Sequence, residues 1–412
     1  MEIAEVSTHS HQKAIRVSFS HESSASFCPP LDAEQDDSTV ANLLNVLEGV
    51  NEQRKARGRI YRLAFILATS LVAVLGGSTN YRQIADQVAD FPQELLEKLG
   101  GKWCHFRKGY RTPSEKTIRL VLAGVDADQL DRIIGKWLRE HTRRDHDGAL
   151  RIAIDGKVLR GVWTGDDHQF TLFSAMIHQD GVTIAQVRVP PDTNEITQVK
   201  ALLDPIEARN DEGVVVTMDA AHTQRDTASY LAGTRGFDYI MNTKGNQPTL
   251  LRTVFEKAAA LIKNTPDHIV RERAHGRINQ WKTWTTDADG INFPYAQQIG
   301  CIRRDVFALD GIRTSREYAW IITSRPAEKM TAADLHDHTR AHWGIENKSH
   351  YVRDTTWRED AHHANAGNAP HIMATLRNTA ASLLRLHGHH HIKKSTEWIC
   401  RDPRRALPLM IT

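Results

Sequence analysis

The sequence predicts an α/β protein whose first part is entirely helical. Apolar residues recur at helical spacing from about residue 38 to residue 142. From Leu150 onward the pattern changes to short β-branched runs separated by turns rich in Gly and Asp. Beyond these runs, helical and strand patterns alternate along the chain, and this alternation is typical of α/β architectures.

Composition sets limits on size, redox environment and location. A chain of 412 residues with 40% hydrophobic content can form more than one domain around a substantial core. The four cysteines lie far apart without a C-x-x-C pair, which argues against a cysteine zinc site and a disulfide framework and fits a reducing cytoplasm. The longest apolar run, residues 63–75, is too short to span a bilayer, so we expect no membrane contact.

The first 148 residues divide into two predicted segments. Residues 1–37 are rich in Ser, His, Glu and Asp, and we expect a disordered leader there. Residues 38–148 predict a small all-helical domain, in which "RLAFILATSLVAVL" is apolar on most faces and ends at Gly76 and Gly77. Two basic runs with interleaved aromatic residues are suited to contact the phosphates of DNA, although a solvated surface explains them as well. The candidate contacts in these runs are Arg57, Arg107, Lys108 and Arg111.

Residues 149–388 predict a catalytic domain. "LRIAIDG", "FTLFSAMI" and "VTIAQVRV" form an antiparallel meander, and helices then alternate with the strands "GVVVTMDA" and "FDYIMNT". Three strands followed by alternating α and β elements is the order of a ribonuclease H-like fold. Residues ~268–325 are again strand-like, with three such phrases, and predict a β-rich insertion. Long helices follow, and residues 389–412 form a C-terminal tail.

Three acidic residues are the candidate catalytic and metal-binding groups. Asp155 and Asp219 each close an apolar run that predicts a buried strand, where an unpaired carboxylate would be costly. Glu346 lies on a later helix, and Asp354, Glu359 and Asp360 compete with it for the third position. Carboxylates brought together can hold divalent cations for phosphodiester chemistry. Asp155 and Asp219 could instead be turn or capping residues, and Glu346 a surface acid.

Five ordered phrases carry a resemblance to a known family. They are "IAIDGKVLRG", "TMDAAHTQ", "DYIMNTKGNQPTL", "HGRI" and "HWGIENKSHYVRDTTWRED". With the preceding helical region, they resemble bacterial insertion-sequence transposases of the DDE type, H-repeat-associated group, from about residue 51 to the C-terminus. The resemblance implies a ribonuclease H-like core and the triad Asp155, Asp219 and Glu346. It also implies Mg²⁺, with Mn²⁺ as an alternative.

The resemblance further implies partners and location. The expected activity is DNA cleavage and strand transfer on double-stranded DNA, at terminal inverted repeats and at a target. A homodimer in a synaptic complex and a location in the bacterial cytoplasm, at the nucleoid, are expected as well. Lys244 and Asn246, in a loop after a strand, are further candidate DNA contacts, although a plain turn is an equal interpretation.

The sequence departs from the family pattern at four positions. Related transposases carry Tyr, Arg and Lys around the glutamate, where this chain has Thr339, His342 and Arg353. The resemblance implies phosphate contacts from Arg353 and His342. Asn279 replaces a usual Glu after "HGRI". Two other hypotheses therefore stay open: a metal-dependent nuclease that cuts without joining, and an inactive DNA-binding relic.

Overall fold

The computed structural model describes residues 16–17, 42–142, 148–164, 168–209, 212–363 and 366–411. Its strands are β1 (Arg16–Val17), β2 (Trp103–Cys104), β3 (Gly109–Tyr110), β4 (Leu150–Thr164), β5 (His168–Ile177), β6 (Thr183–Val189), β7 (Val214–Met218), β8 (Asp238–Thr243), β9 (His268–Ala274), β10 (Arg277–Asp287), β11 (Gln298–Phe307) and β12 (Arg313–Thr323). Its helices are α1 (Leu43–Glu48), α2 (Leu63–Leu75), α3 (Tyr81–Ala89), α4 (Gln93–Lys98), α5 (Glu115–Ala123), α6 (Ala127–His141), α7 (Glu195–Leu203), α8 (Arg225–Ala228), α9 (Pro248–Leu261), α10 (Ala332–His342), α11 (Tyr351–Trp357), α12 (Ala369–Leu386), α13 (Ile392–Arg401) and α14 (Pro408–Ile411). The fold is mixed α/β with a large sheet.

The chain divides into two compact units, which are described separately. The larger unit comprises residues 27–241 and 338–412, and the smaller unit comprises residues 1–26 and 242–337. The expected leader, residues 1–37, lies outside the described residues except for β1.

Four of the helices α1 to α6 begin at a side chain that caps them. Side chains of Asn42, Asn80, Ser114 and Asp126 each accept a backbone N–H at the start of a helix. Helix α2 is buried along nearly its whole length, and it ends at Gly76. In the same unit, α2 and α6 pack against α12, whose residues 369–384 are all buried. The helical region therefore shares its core with later helices.

One described stretch, Ala56–Leu75, is long and apolar enough to cross a membrane by composition alone. Its most apolar window is 67% buried inside the protein. The apolar part of this stretch is α2, and burial of that kind is typical of a core helix.

Strands β4 to β8 form the sheet of the larger unit, in the order β8-β7-β4-β5-β6. β4, β5 and β6 pair antiparallel, as the meander predicts, whereas β7 pairs parallel with both β4 and β8. All five residues of β7 are buried, so a strand in the middle of the sheet explains the largely apolar run "VVVTM".

The smaller unit is built on the antiparallel strands β9 to β12. Each strand pairs with the next, and β1 pairs parallel with β9. The sequence predicted three strand-like phrases here, and the structure adds β9, a half-exposed strand whose alternating charges concealed it. Helix α9 covers the sheet, with the Phe255 and Trp320 rings 5.1 Å apart.

Two C-terminal regions differ from the sequence expectation. The first of the long helices expected after residue 325 is divided into α10, a π-helical segment (Ile345–His350) and α11. Residues 389–412, expected to be a tail, contain α13 and α14, which pack against α2 and α1 respectively. Buried Ile392 and Ile399 on α13 give this segment its own apolar contacts.

Candidate active site

Asp155 lies inside β4 and not at its end. The sequence predicted a strand that closes at this aspartate, but residues 156–159 remain paired with residues 170–173 of β5. The parallel neighbour β7 does end at Met218, and Asp219 follows it. Ala153 is in register with Thr217, so Asp155 and Asp219 lie at the same level, two residues further along. The first two acids of the predicted triad are therefore neighbours.

Asp219 also has the capping role that the sequence left open. Its Oδ1 accepts a hydrogen bond from the backbone N–H of Ala221 at 3.0 Å, at the start of a 3₁₀ turn. One carboxylate oxygen is thus used locally, and this bond fixes the direction of the side chain.

Glu346 and His350 bring the π-helical segment to Asp155. Nδ1 of His350 lies 2.8 Å from Oε2 of Glu346 and 3.7 Å from Oδ2 of Asp155. His350 is buried, whereas the side chain of Glu346 is 65% exposed. His350 was not among the predicted site residues, although its position four residues after Glu346 predicts that both lie on the same helix face.

The three groups fit a divalent cation. Asp155, Glu346 and His350 each offer a ligand atom, and these atoms all lie within 4.8 Å of one another. Ligands about 2.1 Å from Mg²⁺ and at right angles are separated by about 3 Å, compared with 2.8 Å and 3.7 Å from Nδ1 of His350 to the two carboxylates. Nδ1 can bind a cation only when it carries no proton, and when protonated it donates to Glu346 instead. Carboxylate oxygens suit Mg²⁺ and Mn²⁺, and imidazole suits transition metals. Asp219 lies outside this group of three.

Burial and like charges act on Asp155. Burial, with contributions from Glu195 and Asp219, raises the pKa of Asp155 to about 6, against the opposing effect of His350. At Glu346, the hydrogen bond from His350 holds the pKa below its usual range. The two carboxyl groups differ in environment, so Asp155 is the one whose ionisation depends on pH near neutrality.

The competing acids have other partners. Nζ of Lys157 lies 2.7 Å from Oδ2 of Asp354 and 3.6 Å from Oδ1 of Asp360. Glu359 is buried in ion pairs with two arginines, described below. The structure therefore favours Glu346 over these three acids as the neighbour of Asp155.

Glu195 lies beside Asp155, a placement that the sequence did not predict. Asn194 is the cap of α7 and accepts the N–H of Thr197, and Glu195 is the first residue of that helix. The Glu195 carboxylate reaches β4 next to Gly156. Its Oε2 also lies 3.4 Å from Nε2 of the buried His222.

The structure gives Arg353 an internal role in place of the phosphate contact that the resemblance implied. Arg353 is fully buried, with its Nε and Nη2 each 2.7 Å from Oε2 of Glu359. Its Nη1 donates to Asn378, and Arg377 contacts the other oxygen of Glu359 at 3.0 Å. Although burial opposes it, the two arginines lower the pKa of Glu359 to about 2. Arg353 has no exposed surface with which to contact a phosphate.

His342 is likewise internal, which corrects its expected phosphate contact. Its Nδ1 lies 3.1 Å from Oγ1 of Thr217, which is also 2.8 Å from Nε2 of His178. Burial lowers the pKa of His342 to about 4, so the imidazole is neutral near neutral pH. His342, the last residue of α10, is therefore connected to β7 by a buried hydrogen bond.

The other candidate DNA contacts are at least partly exposed. In the larger unit, Arg57, Arg107 and Lys108 are exposed and Arg111 is half-buried; in the smaller unit, Lys244 and Asn246 are exposed. Arg107 and Lys108 lie in the tight turn of the β2–β3 hairpin, next to Phe106, which is 99% exposed. The unusual Asn279 accepts a hydrogen bond from Arg304 at 3.0 Å, within the smaller unit.

Comparisons with known proteins identify the family to which the sequence is similar. Residues 147–383 match the family described as "Transposase DDE domain", and residues 44–138 match the family described as DDE_Tnp_1-associated. The chain is 27% identical over 356 residues to YncI of Escherichia coli O157:H7, which bears a provisional transposase name, covering 84% of this chain and 87% of YncI. It is 27% identical over 246 residues to YbfD of E. coli K12, provisionally named an H repeat-associated transposase, covering 58% of this chain and 91% of YbfD.

Proposed function

Because this chain belongs to the DDE transposase family, a family of enzymes that act on nucleic acid, we propose that it cleaves and joins DNA. The proposed reaction is cleavage at the terminal inverted repeats of an insertion sequence, followed by transfer of the freed 3′ ends to target DNA. One observation carries the proposal. Asp155 and Glu346, far apart in sequence, lie together around His350, beside Asp219.

The proposal assigns a ribonuclease H-like catalytic domain to residues 149–388 and an associated helical domain to residues 38–148. The strand order β6-β5-β4-β7-β8 supports the first assignment, since three antiparallel strands are followed by two parallel ones. Strands β9 to β12 would be the β-rich insertion, expected at about residues 268–325.

Asp155, Asp219 and Glu346 would hold the cations, with Mg²⁺ as the proposed metal and Mn²⁺ as its substitute. Bound there, a divalent cation would stabilise the negative charge that develops at the phosphorus and on the leaving oxygen. The protein holds the carboxylates at fixed positions: β4 and β7 hold the two aspartates, and the buried His350 orients Glu346 through its hydrogen bond.

Double-stranded DNA is the proposed partner, at both the inverted repeats and the target. Exposed Arg57, Arg107, Lys108, Lys244 and Asn246 would contact its backbone, with the half-buried Arg111 at the hairpin. Two element ends must meet before joining, so we propose a homodimer in the synaptic complex. The activity would take place at the bacterial nucleoid, in the cytoplasm.

An end-cleavage and joining assay tests the function. DNA ends that flank this gene would be incubated with wild-type protein or Glu346→Gln, in Mg²⁺ or Mn²⁺. Cleavage and joining by wild type alone is the expected result. Cleavage without joining would replace the proposal with a metal-dependent nuclease. DNA binding without cleavage in either metal would replace it with an inactive DNA-binding relic.

A further inference from the structure

We propose that Glu195 is a fourth metal-binding carboxylate of this site, together with Asp155, Asp219 and Glu346. The inference rests on the proposed function, because it concerns the cations that the site would hold. It gives a chemical role to a residue whose sequence context indicated only the start of a helix.

The shape of β4 next to Asp155 accommodates the Glu195 carboxylate. A Cβ atom built on Gly156 would lie 1.7 Å from Oε1 and 2.7 Å from Oε2 of Glu195. Gly156 is not in the left-handed region, so its backbone conformation does not require glycine. Glycine is required at position 156 only because a side chain there would overlap the carboxylate of Glu195.

Capping does not account for this placement. Asn194 provides the cap of α7, with its Oδ1 accepting the N–H of Thr197. Glu195 is the first residue of the helix, where a negative charge is favourable but of small effect at a partly exposed position. The Glu195 carboxylate instead points to β4, and its side chain remains 31% exposed.

A buried histidine is directed at the same carboxylate. His222 is 1% exposed, and its Nε2 lies 3.4 Å from Oε2 of Glu195. Among the described residues, its Nδ1 has no hydrogen-bond partner. Its ring stacks on Phe173 at 5.0 Å, and Phe173 pairs with Gly156 across β4 and β5. His222 is therefore a positioning residue, of the kind that orients carboxylates at metal centres.

The charge of the group matches two divalent cations. Four ionised carboxylates carry four negative charges, and two divalent cations would neutralise them. Lys157, a neighbouring cation, is already paired with Asp354 and Asp360. In the absence of DNA, three carboxylates would leave two cations with a net positive charge, so Glu195 would balance the charge of the DNA-free site that the metal-binding test measures.

Metal binding by the full-length protein without DNA tests this inference. Mn²⁺ bound per chain would be measured by electron paramagnetic resonance for wild type, Glu195→Gln and Gly156→Ala. Glu397→Gln, on α13, is the control for the loss of an exposed glutamate. We expect two Mn²⁺ for wild type and for the control. In both site variants one of the two should bind about tenfold more weakly or be lost.

Thermal unfolding in EDTA shows whether the Glu195→Gln protein is folded, so that weaker metal binding cannot be attributed to misfolding. Glu195→Gln should unfold at or above the wild-type temperature, because it removes a carboxylate from a group of like charges. Two Mn²⁺ bound with wild-type affinity by both variants would overturn the inference and leave the proposed function intact. Absence of Mn²⁺ binding by wild type would overturn the proposed metal site itself, and the inference with it.

Discussion

His350 lies between Glu346 and Asp155, with its Nδ1 2.8 Å from one carboxylate and 3.7 Å from the other. This contact joins a π-helical segment to a central strand of the larger unit. π-helical turns are rare and occur often at functional sites. The docking of this segment on β4 therefore decides whether the acids can act together.

Asp155→Asn should abolish cleavage yet stabilise the metal-free protein. The pKa of Asp155 is raised to about 6 in the folded state from the usual 3.8, so this residue destabilises the fold increasingly above pH 3.8, and the effect is complete above about pH 6. Asparagine removes this cost, and we expect a rise in Tm on the order of 2–4 °C at pH 8 in EDTA. The difference should shrink at pH 5, where wild-type Asp155 is protonated. An equal difference at both pH values would contradict the assignment.

Mn²⁺ affinity should fall as the pH drops through about 6. A carboxyl group must lose its proton to bind a metal, and Asp155 is the acid whose pKa is raised to about 6. The hydrogen bond from His350 lowers the pKa of Glu346, which therefore remains ionised over this range. Titration of Mn²⁺ into wild type between pH 5 and pH 8 measures the effect. Constant affinity across this range would exclude Asp155 as a ligand.

Glu359→Gln should destabilise the protein without a direct effect on DNA affinity. It leaves the buried Arg353 and Arg377 without their carboxylate, a change that costs about 3–5 kcal/mol. The pKa of Glu359 is lowered to about 2, so its stabilisation is present above its unfolded pKa of about 4.5 and is lost as the pH falls towards 2. Urea unfolding at pH 7 and pH 3 measures both effects. A variant as stable as wild type at pH 7 would contradict the role of Glu359 as the buried partner of the two arginines.

The double substitution Arg107→Glu/Lys108→Glu should weaken DNA binding and reduce its salt dependence. Both residues are exposed at the tip of the β2–β3 hairpin. Each lost phosphate contact lowers the slope of log K against log salt by about 0.9, so we expect a decrease of about 1.8. Lys263→Glu, an exposed lysine in the smaller unit, is the charge control. An unchanged slope would show that the hairpin does not contact phosphates.

The order of elements and two of the three acids follow from the sequence. The spacing of apolar residues in a helix or strand depends only on neighbouring residues. The change from helical to strand spacing at Leu150 therefore marks the start of β4. Asp155 and Asp219 are recognisable because a carboxylate next to a buried apolar run requires a partner. The helix caps at Asn80, Ser114 and Asp126 are equally local.

The length of β4 depended on its pairing with the adjacent strand β5, and the apolar run alone did not show it. Pairing with β5 continues the strand past Asp155, although the apolar run ends there. The burial of Arg353 and His342 was also not readable from the sequence. An arginine that contacts DNA and one that forms an internal ion pair have the same local sequence pattern, and only Glu359 and Asn378 distinguish them.

Tertiary structure decided which of the candidate side chains lie together. The segment that contains Glu346 also contains Asp354, Glu359 and Asp360, and its docking on β4 brings Glu346 to Asp155 while Lys157 contacts Asp354 and Asp360. Glu195 and His350 join the site through the same packing. Sequence determined which elements form, because their periods arise from neighbouring residues. The tertiary structure decided which side chains meet, because helix docking and strand pairing depend on contacts between residues far apart in the chain.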